Sequence, residues 1–215
     1  MNCQKWLALF LILLPVGLSS VFAYQYFFIT EASKFSAGLV IKHSLHDVAV
    51  TGMIKPKSVI FQNFTLDINF TVTNVGIYPE TYNFTFKANS TELFFSGIEQ
   101  MAGDSANMTF SWNTTSFAKG NYTLNAYAEP VPEESCLSDN TQISWVIVSR
   151  MGDVTGPNGY PDGKVDMRDI GSVARLFFVS HSDQMYNPDF DVIYDGIINM
   201  KDVGLVARHF GEMEG

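Results

Sequence analysis

Between residues 44 and 150 apolar and polar side chains alternate with a period of two. That period marks strands with one buried face and one wet face. In Phe64-Thr65-Leu66-Asp67-Ile68-Asn69-Phe70-Thr71-Val72 every even position is apolar and every odd one polar. Tyr82-Asn83-Phe84-Thr85-Phe86, Met108-Thr109-Phe110-Ser111-Trp112, Tyr122-Thr123-Leu124-Asn125 and Ile143-Ser144-Trp145 repeat the pattern. Val48-Ala49-Val50 and Val146-Ile147-Val148 add edge or closing strands, and Gly76, Gly97, Gly103 and Gly120 fall between strands as turns. The sum predicts an antiparallel β-sandwich of immunoglobulin type. Phe64, Phe70, Phe84, Phe86, Phe110 and Trp112 take the inward register, which leaves Tyr78, Tyr127, Phe94 and Phe95 as candidates for the outside.

After residue 150 the period changes. Ile170, Val173, Ala174 and Phe177 follow the i, i+3, i+4, i+7 spacing of one helix face, as do Val203, Val206, Ala207 and Phe210. Two helices this short bury little unless they pack on each other, and so small a unit needs a metal or another staple. The mainly β chain is therefore expected to end in a small all-α module over 151–215.

Each helix follows the same motif. Asp162-Gly163-Lys164-Val165-Asp166-Met167-Arg168-Asp169 recurs 33 residues on as Asp195-Gly196-Ile197-Ile198-Asn199-Met200-Lys201-Asp202. The oxygens and the glycine sit at the spacing of an EF-hand-like calcium loop. In the second copy Asp191, Asp195, Asn199 and Asp202 take positions one, five, nine and twelve, with the Ile197 carbonyl at seven. Position three is Ile193, whose side chain binds no cation.

In the first copy Asp162, Asp166 and Asp169 take five, nine and twelve, with the Lys164 carbonyl at seven. Position one is either Asp153, nine residues before Asp162, or Asn158 at normal spacing. Asp153 is favoured because a carboxylate stabilises a dication more than an amide does, with Gly156-Pro157-Asn158-Gly159 looping out. The bland alternative makes Asp169 and Asp202 helix caps. Capping explains neither the rest of the motif nor its duplication. Two calcium ions are expected, or one if a departing loop stays empty.

Composition narrows the partners. The net charge of −9 argues against nucleic acid, which demands basic surface. Eleven acidic against five basic residues lie in 151–215, a crowding that a divalent cation relieves. Lys5, the apolar stretch from Trp6 to Val16 and Val21-Phe22-Ala23 read as an export signal over 1–23. The competing reading is an uncleaved anchor, the chain's one route into a membrane, so the protein is placed outside the cell or on its surface. Residues 24–43 are unassigned. Cys3 falls in the signal, which leaves Cys136 alone after processing.

Seven Asn-x-Ser/Thr acceptors decorate the sandwich: Asn63, Asn69, Asn83, Asn89, Asn107, Asn113 and Asn121. Within a strand the Asn and Thr of a sequon share one face while the residue between them points to the core. These asparagines are either glycan acceptors on the solvated face or simply its polar half.

Two resemblances add to these readings. Residues 45–149 resemble the CARDB family of immunoglobulin-like domains in His46-Asp47-Val48-Ala49-Val50, Phe70-Thr71-Val72-Thr73-Asn74-Val75-Gly76, Trp112-Asn113-Thr114, Gly120-Asn121-Tyr122-Thr123-Leu124, Val131-Pro132-Glu133-Glu134 and Asp139-Asn140. Residues 151–212 look like a dockerin domain: both loops end in Asp, neither follows a helix, and Tyr186-Asn187-Pro188-Asp189 joins the two units. The second resemblance implies two calcium ions and a cohesin-type partner. It implies contacts through Met167, Arg168 and Arg175 in one copy and Met200, Lys201 and Arg208 in the other, residues that otherwise form an exposed helix face.

Nothing points to catalysis. His43, His46, His181 and His209 show no zinc spacing, there is no nucleophile elbow, and Glu80, Glu92, Glu99, Glu133 and Glu134 scatter over predicted loops. Two readings remain. One is a non-catalytic assembly protein whose sandwich is an adhesive or spacer module. The other is a surface-glycan or polysaccharide binder delivered by its dockerin, which a row of exposed aromatics would favour.

Overall fold

The computed structural model describes residues 44–213. The signal or anchor at 1–23 and the unassigned 24–43 lie outside the described residues. No helix among the described residues is long and apolar enough to cross a membrane.

Among the described residues eight strands come first: β1 (Val48–Ile54), β2 (Val59–Phe61), β3 (Thr65–Asn74), β4 (Glu80–Ala88), β5 (Thr91–Gln100), β6 (Ser105–Asn113), β7 (Gly120–Ala128) and β8 (Thr141–Ser149). They form a three-stranded sheet in the order β1-β3-β6 and a five-stranded sheet in the order β2-β8-β7-β4-β5. Between the sheets lies a core containing Phe70, Phe84, Phe86, Trp112, Leu66, Ile68 and Leu124. The Phe70 ring packs 4.7 Å from that of Phe86 and 5.3 Å from that of Phe84, which locks one sheet onto the other.

The sandwich departs from the sequence expectation in several places. β2 pairs with β8 in parallel, so the fold is not purely antiparallel. Gly97 is no turn but lies inside β5, which also carries Glu92 and Glu99, and Glu80 opens β4. Phe64 is partly exposed because it sits in the turn before β3. In β8 the inward residues are Val146 and Val148, so Ile143 and Trp145 face outward. A one-residue choice of register inverts a whole strand. Cys136, the one cysteine among the described residues, is in a disulfide, contrary to the expectation that it stands alone in a processed chain.

Two helices of nine residues each follow, α1 (Met167–Arg175) and α2 (Met200–Arg208). The region is not all-α, because long loops and two isolated β-bridges make up the rest. The predicted apolar stripes are also displaced. Val173, Val206 and Leu176 are buried, whereas Ala174, Phe177, Ala207 and Phe210 are exposed. Each helix is too short for an i+7 position, which falls beyond the C-cap at Leu176 or His209.

The two copies close on each other. Lys164 bridges to Met213, after the second helix, and Ile197 bridges to Ser180, after the first. The Val165 N–H donates to the Glu212 carbonyl, and the Ile198 N–H to that of Val179. The second core gathers Val154, Val165, Val173, Leu176, Val192, Ile198 and Val206 around Phe61, which belongs to β2 of the sandwich. Burying such a ring is worth about 1.5–3 kcal/mol. The C-terminal region is therefore built onto the sandwich.

Candidate metal centre

The two loops share one hydrogen-bond scheme. Asp191 is buried, and its carboxylate accepts the N–H of Asp195 at 3.2 Å and of Gly196 at 2.8 Å. Asp153, equally buried, accepts the N–H of Asp162 at 3.2 Å and of Gly163 at 2.9 Å. Across the stretched spacing, Asp153 does for the first loop what Asp191 does for the second. The exposed Asn158 has no such role. The Ser149 hydroxyl, at the end of β8, completes Asp153 at 3.0 Å, and the Tyr186 hydroxyl completes Asp191 at 2.6 Å.

The last acid of each loop ties its ends together. Asp169 accepts the N–H groups of Val154 and Thr155 on one oxygen and of Asp166 on the other. Asp202 accepts Ile193 on one oxygen and Asn199 on the other. The Asp166 and Asn199 side chains cap the helices in return, accepting from Arg168 and Lys201, so both helices open with a capping box. Capping and loop closure thus use the same residues.

These residues fit a hard dication. Asp153, Asp169, Asp191 and Asp202 are all buried, and none makes an ion pair among the described residues. Burial raises the Asp153 carboxyl to about 6 against the pull of its hydrogen bonds, and Asp169 is also raised by desolvation. A buried carboxylate needs a counter-charge, and the Lys57 ammonium supplies part of one to Asp191 and Asp202 alone among the four. Each carboxylate has about four lone-pair sites, so capacity remains after the backbone bonds. Asp162, Asp166, Asp195 and Asn199 supply further side-chain oxygens, and Lys164 and Ile197 backbone carbonyls. All are more open to solvent than the four buried acids.

The expected partner contacts are on the surface, with a qualification. Met167, Met200, Arg175 and Arg208 are exposed. Arg168, though exposed, lies 3.7 Å from both Asp162 and Asp166, and Lys201 bonds Asp195 at 2.9 Å. These two cations face the loops as well as the solvent.

Lys57 is the contributor that sequence reasoning missed. Its buried ammonium donates to the Asp191 carbonyl at 3.1 Å. Burial lowers its pKa, while Asp189, Asp191 and Asp202 hold it up. Asp189, in the joining segment, accepts the N–H groups of Ser58 and Val59 at 2.6 and 2.9 Å. A lone lysine between strands gave no signal, because its partner lies 134 residues away.

A second acidic cluster joins Asp47, Cys136 and Asp139, whose ligand atoms lie within 4.8 Å of one another. Its sulfur is in a disulfide and offers no thiolate, so the trio is no metal set. Nearby Glu134 is a structural clasp, accepting from Val48 N–H, Val131 N–H and the Asn140 amide.

The sequons divide between faces. On the three-stranded sheet Thr71 donates to Asn107 at 2.8 Å and Thr109 to Asn69 at 2.7 Å, so each asparagine is held by the other sequon's threonine. Asn113 accepts from the Thr115 N–H, and Asn63 sits in a turn with φ +72°. On the five-stranded sheet the Asn83 amide donates to Glu129, and Asn89 bonds the backbone of Asn121 and Thr123. Asn121 is exposed.

No family model and no curated protein matches the chain. It is similar to two solved structures of a CARDB domain from Pyrococcus furiosus. A crystal structure in complex with di-metal ions has 20% identity, covers 50% of this chain and 96% of that one, and gives a TM-score of 0.44. A solution NMR structure has 22% identity, covers 49% and 96%, and gives 0.43. A β-glucosidase from Listeria innocua in complex with glucose has 11% identity, covers 48% of this chain but 16% of its own, and gives 0.36. The likeness is one of general fold, and the ligands in those structures belong to those proteins.

Proposed function

We propose that this is a non-catalytic exported or cell-surface assembly protein, glycosylated on its sandwich. Its C-terminal region is a dockerin-like module that binds calcium and docks onto a cohesin-type partner, with the sandwich as adhesive or spacer module. The observation that carries this reading is the repeated scheme in which Asp153 and Asp191 cradle one end of a loop while Asp169 and Asp202 tie the other. Asp153, Asp162, Asp166, Asp169 and the Lys164 carbonyl would hold one ion. Asp191, Asp195, Asn199, Asp202 and the Ile197 carbonyl would hold the other. Bound calcium supplies the positive charge that the buried acids need, and its binding free energy becomes folding free energy. The exposed Met167, Arg175, Met200 and Arg208 are presented twice by the pseudo-symmetric helices. Capture of a purified cohesin domain by the intact chain in calcium, lost in chelator, tests this reading. Equal failure to capture in both conditions, with calcium bound, removes docking and leaves a calcium-stiffened chain end.

A second reading has its own observation. Tyr127 and Phe95 are exposed on the outer face of the five-stranded sheet, and both pair with Thr85 of the strand between them. Two aromatics in a row suit stacking on a sugar chain. On this reading the sandwich binds a surface glycan or polysaccharide, and Tyr127→Ala weakens that binding without changing calcium uptake.

A further inference from the structure

The outer face of β8 is apolar where a solvated sheet face is polar. Ile143 is 64% and Trp145 43% exposed, with Ile147 next in the same register. Tyr160, from the first calcium loop and 50% exposed, meets the indole edge-on at 5.5 Å and 82°. The Lys55 ammonium lies 5.0 Å over the same ring. An open cleft of about 410 Å³ remains, lined by Trp145, Tyr160, Pro161, Ile147 and Asn121.

Asn121 sits directly opposite Ile147, and Thr123 of the same sequon directly opposite Trp145. The indole is thus the diagonal neighbour of the acceptor, within reach across the ladder. Of the three sequon asparagines on this sheet, Asn83 and Asn89 have amides that donate to other groups, whereas the Asn121 side chain is exposed beside the cleft. The C–H face of a pyranose against an indole and a phenol ring matches this chemistry.

We propose that Asn121 carries an N-linked glycan whose first sugar lies in the cleft over Trp145 and Tyr160, bridging the sandwich to the first calcium loop. The proposal rests on the reading that the chain is exported and glycosylated. In the attachment step Asn121 Nδ2 bonds to C1 of the sugar and gives up one proton. The C1–O bond to a lipid-linked sugar phosphate donor breaks, and the phosphate leaves with the bonding pair. The glycan then covers apolar surface that stays exposed among the described residues, at the seam between the two cores.

The test uses the intact chain secreted from a glycosylating host. Glycopeptide mass spectrometry reads occupancy, acrylamide quenching reads Trp145 against a Trp145→Phe baseline, and thermal unfolding reads the seam. Asn121 should be occupied. Asn121→Gln should increase Trp145 quenching and lower Tm by about 2–4 °C, while Asn113→Gln on the other sheet leaves Trp145 quenching unchanged. In a Trp145→Ala background the Asn121→Gln shift in Tm should disappear, the coupling that a double-mutant cycle isolates. Occupied Asn121 with unchanged quenching and Tm overturns the seat and leaves glycosylation standing. Glycans elsewhere but none at Asn121 also overturn it. No glycan at any sequon overturns the glycosylation reading itself.

Discussion

Lys57 donates its ammonium to the backbone carbonyl of Asp191 at 3.1 Å, and both residues are buried. A cation from the sandwich thereby holds the first residue of the second acidic loop. Lys57→Met keeps the stem and removes the donor, leaving a buried carbonyl without its partner. Such a loss costs about 1–3 kcal/mol. Urea unfolding of the variant should show a lower midpoint with an unchanged slope. A midpoint shift near zero would mean that water replaces the lysine.

Phe61 joins β2 to the C-terminal core. Phe61→Ala should cost about 3–5 kcal/mol, the usual loss for a buried ring. Because the ring belongs to both units, loss of near-UV signal from the sandwich and of helical signal from the C-terminal region should coincide in the wild type. They should separate in the variant. Two separate wild-type transitions would show independent units.

The first loop has two candidates for position one, and they differ in burial and in the bonds they make. Asp153 is buried and holds the N–H groups of Asp162 and Gly163, whereas Asn158 is exposed. Asp153→Asn should weaken calcium binding at one site by at least about tenfold, or about 1.4 kcal/mol. Asn158→Ala should leave both sites unchanged by calorimetry. The reverse ranking would move the ligand to Asn158.

Asp47 sets a pH dependence away from the loops. Burial, followed by the charges of Asp139 and Glu134, raises its carboxyl from 3.8 to about 6. The folded state therefore keeps this proton longer than the unfolded chain does. Its contribution to stability is greatest below pH 4 and is lost as pH rises through about 6. The wild-type midpoint minus that of Asp47→Asn should fall across this window in urea titrations. A constant difference would place Asp47 outside the linkage.

Much of this was legible in the residues, and the failures have physical causes. Period-two alternation located β3, β4, β6 and β7, because one face of each packs on a single core. β8 misled because apolar residues occupy both of its faces, one on the core and one toward the cleft at Tyr160. β5 was invisible because an internal glycine looks like a turn and its exposed Phe95 breaks the alternation. The duplicated loop motif pointed to the acids that share one hydrogen-bond scheme. It did not show that Lys57, Phe61 and Asp189 fasten those loops to the sandwich, since such contacts join residues far apart in the chain.

The most direct measurement is a calcium titration of the intact chain, with heat and far-UV circular dichroism followed together. Two equivalents should bind with a gain of helical signal, with Asp153→Asn abolishing one and Asp191→Asn the other. No binding at millimolar calcium would contradict the calcium module, and with it the proposed docking function.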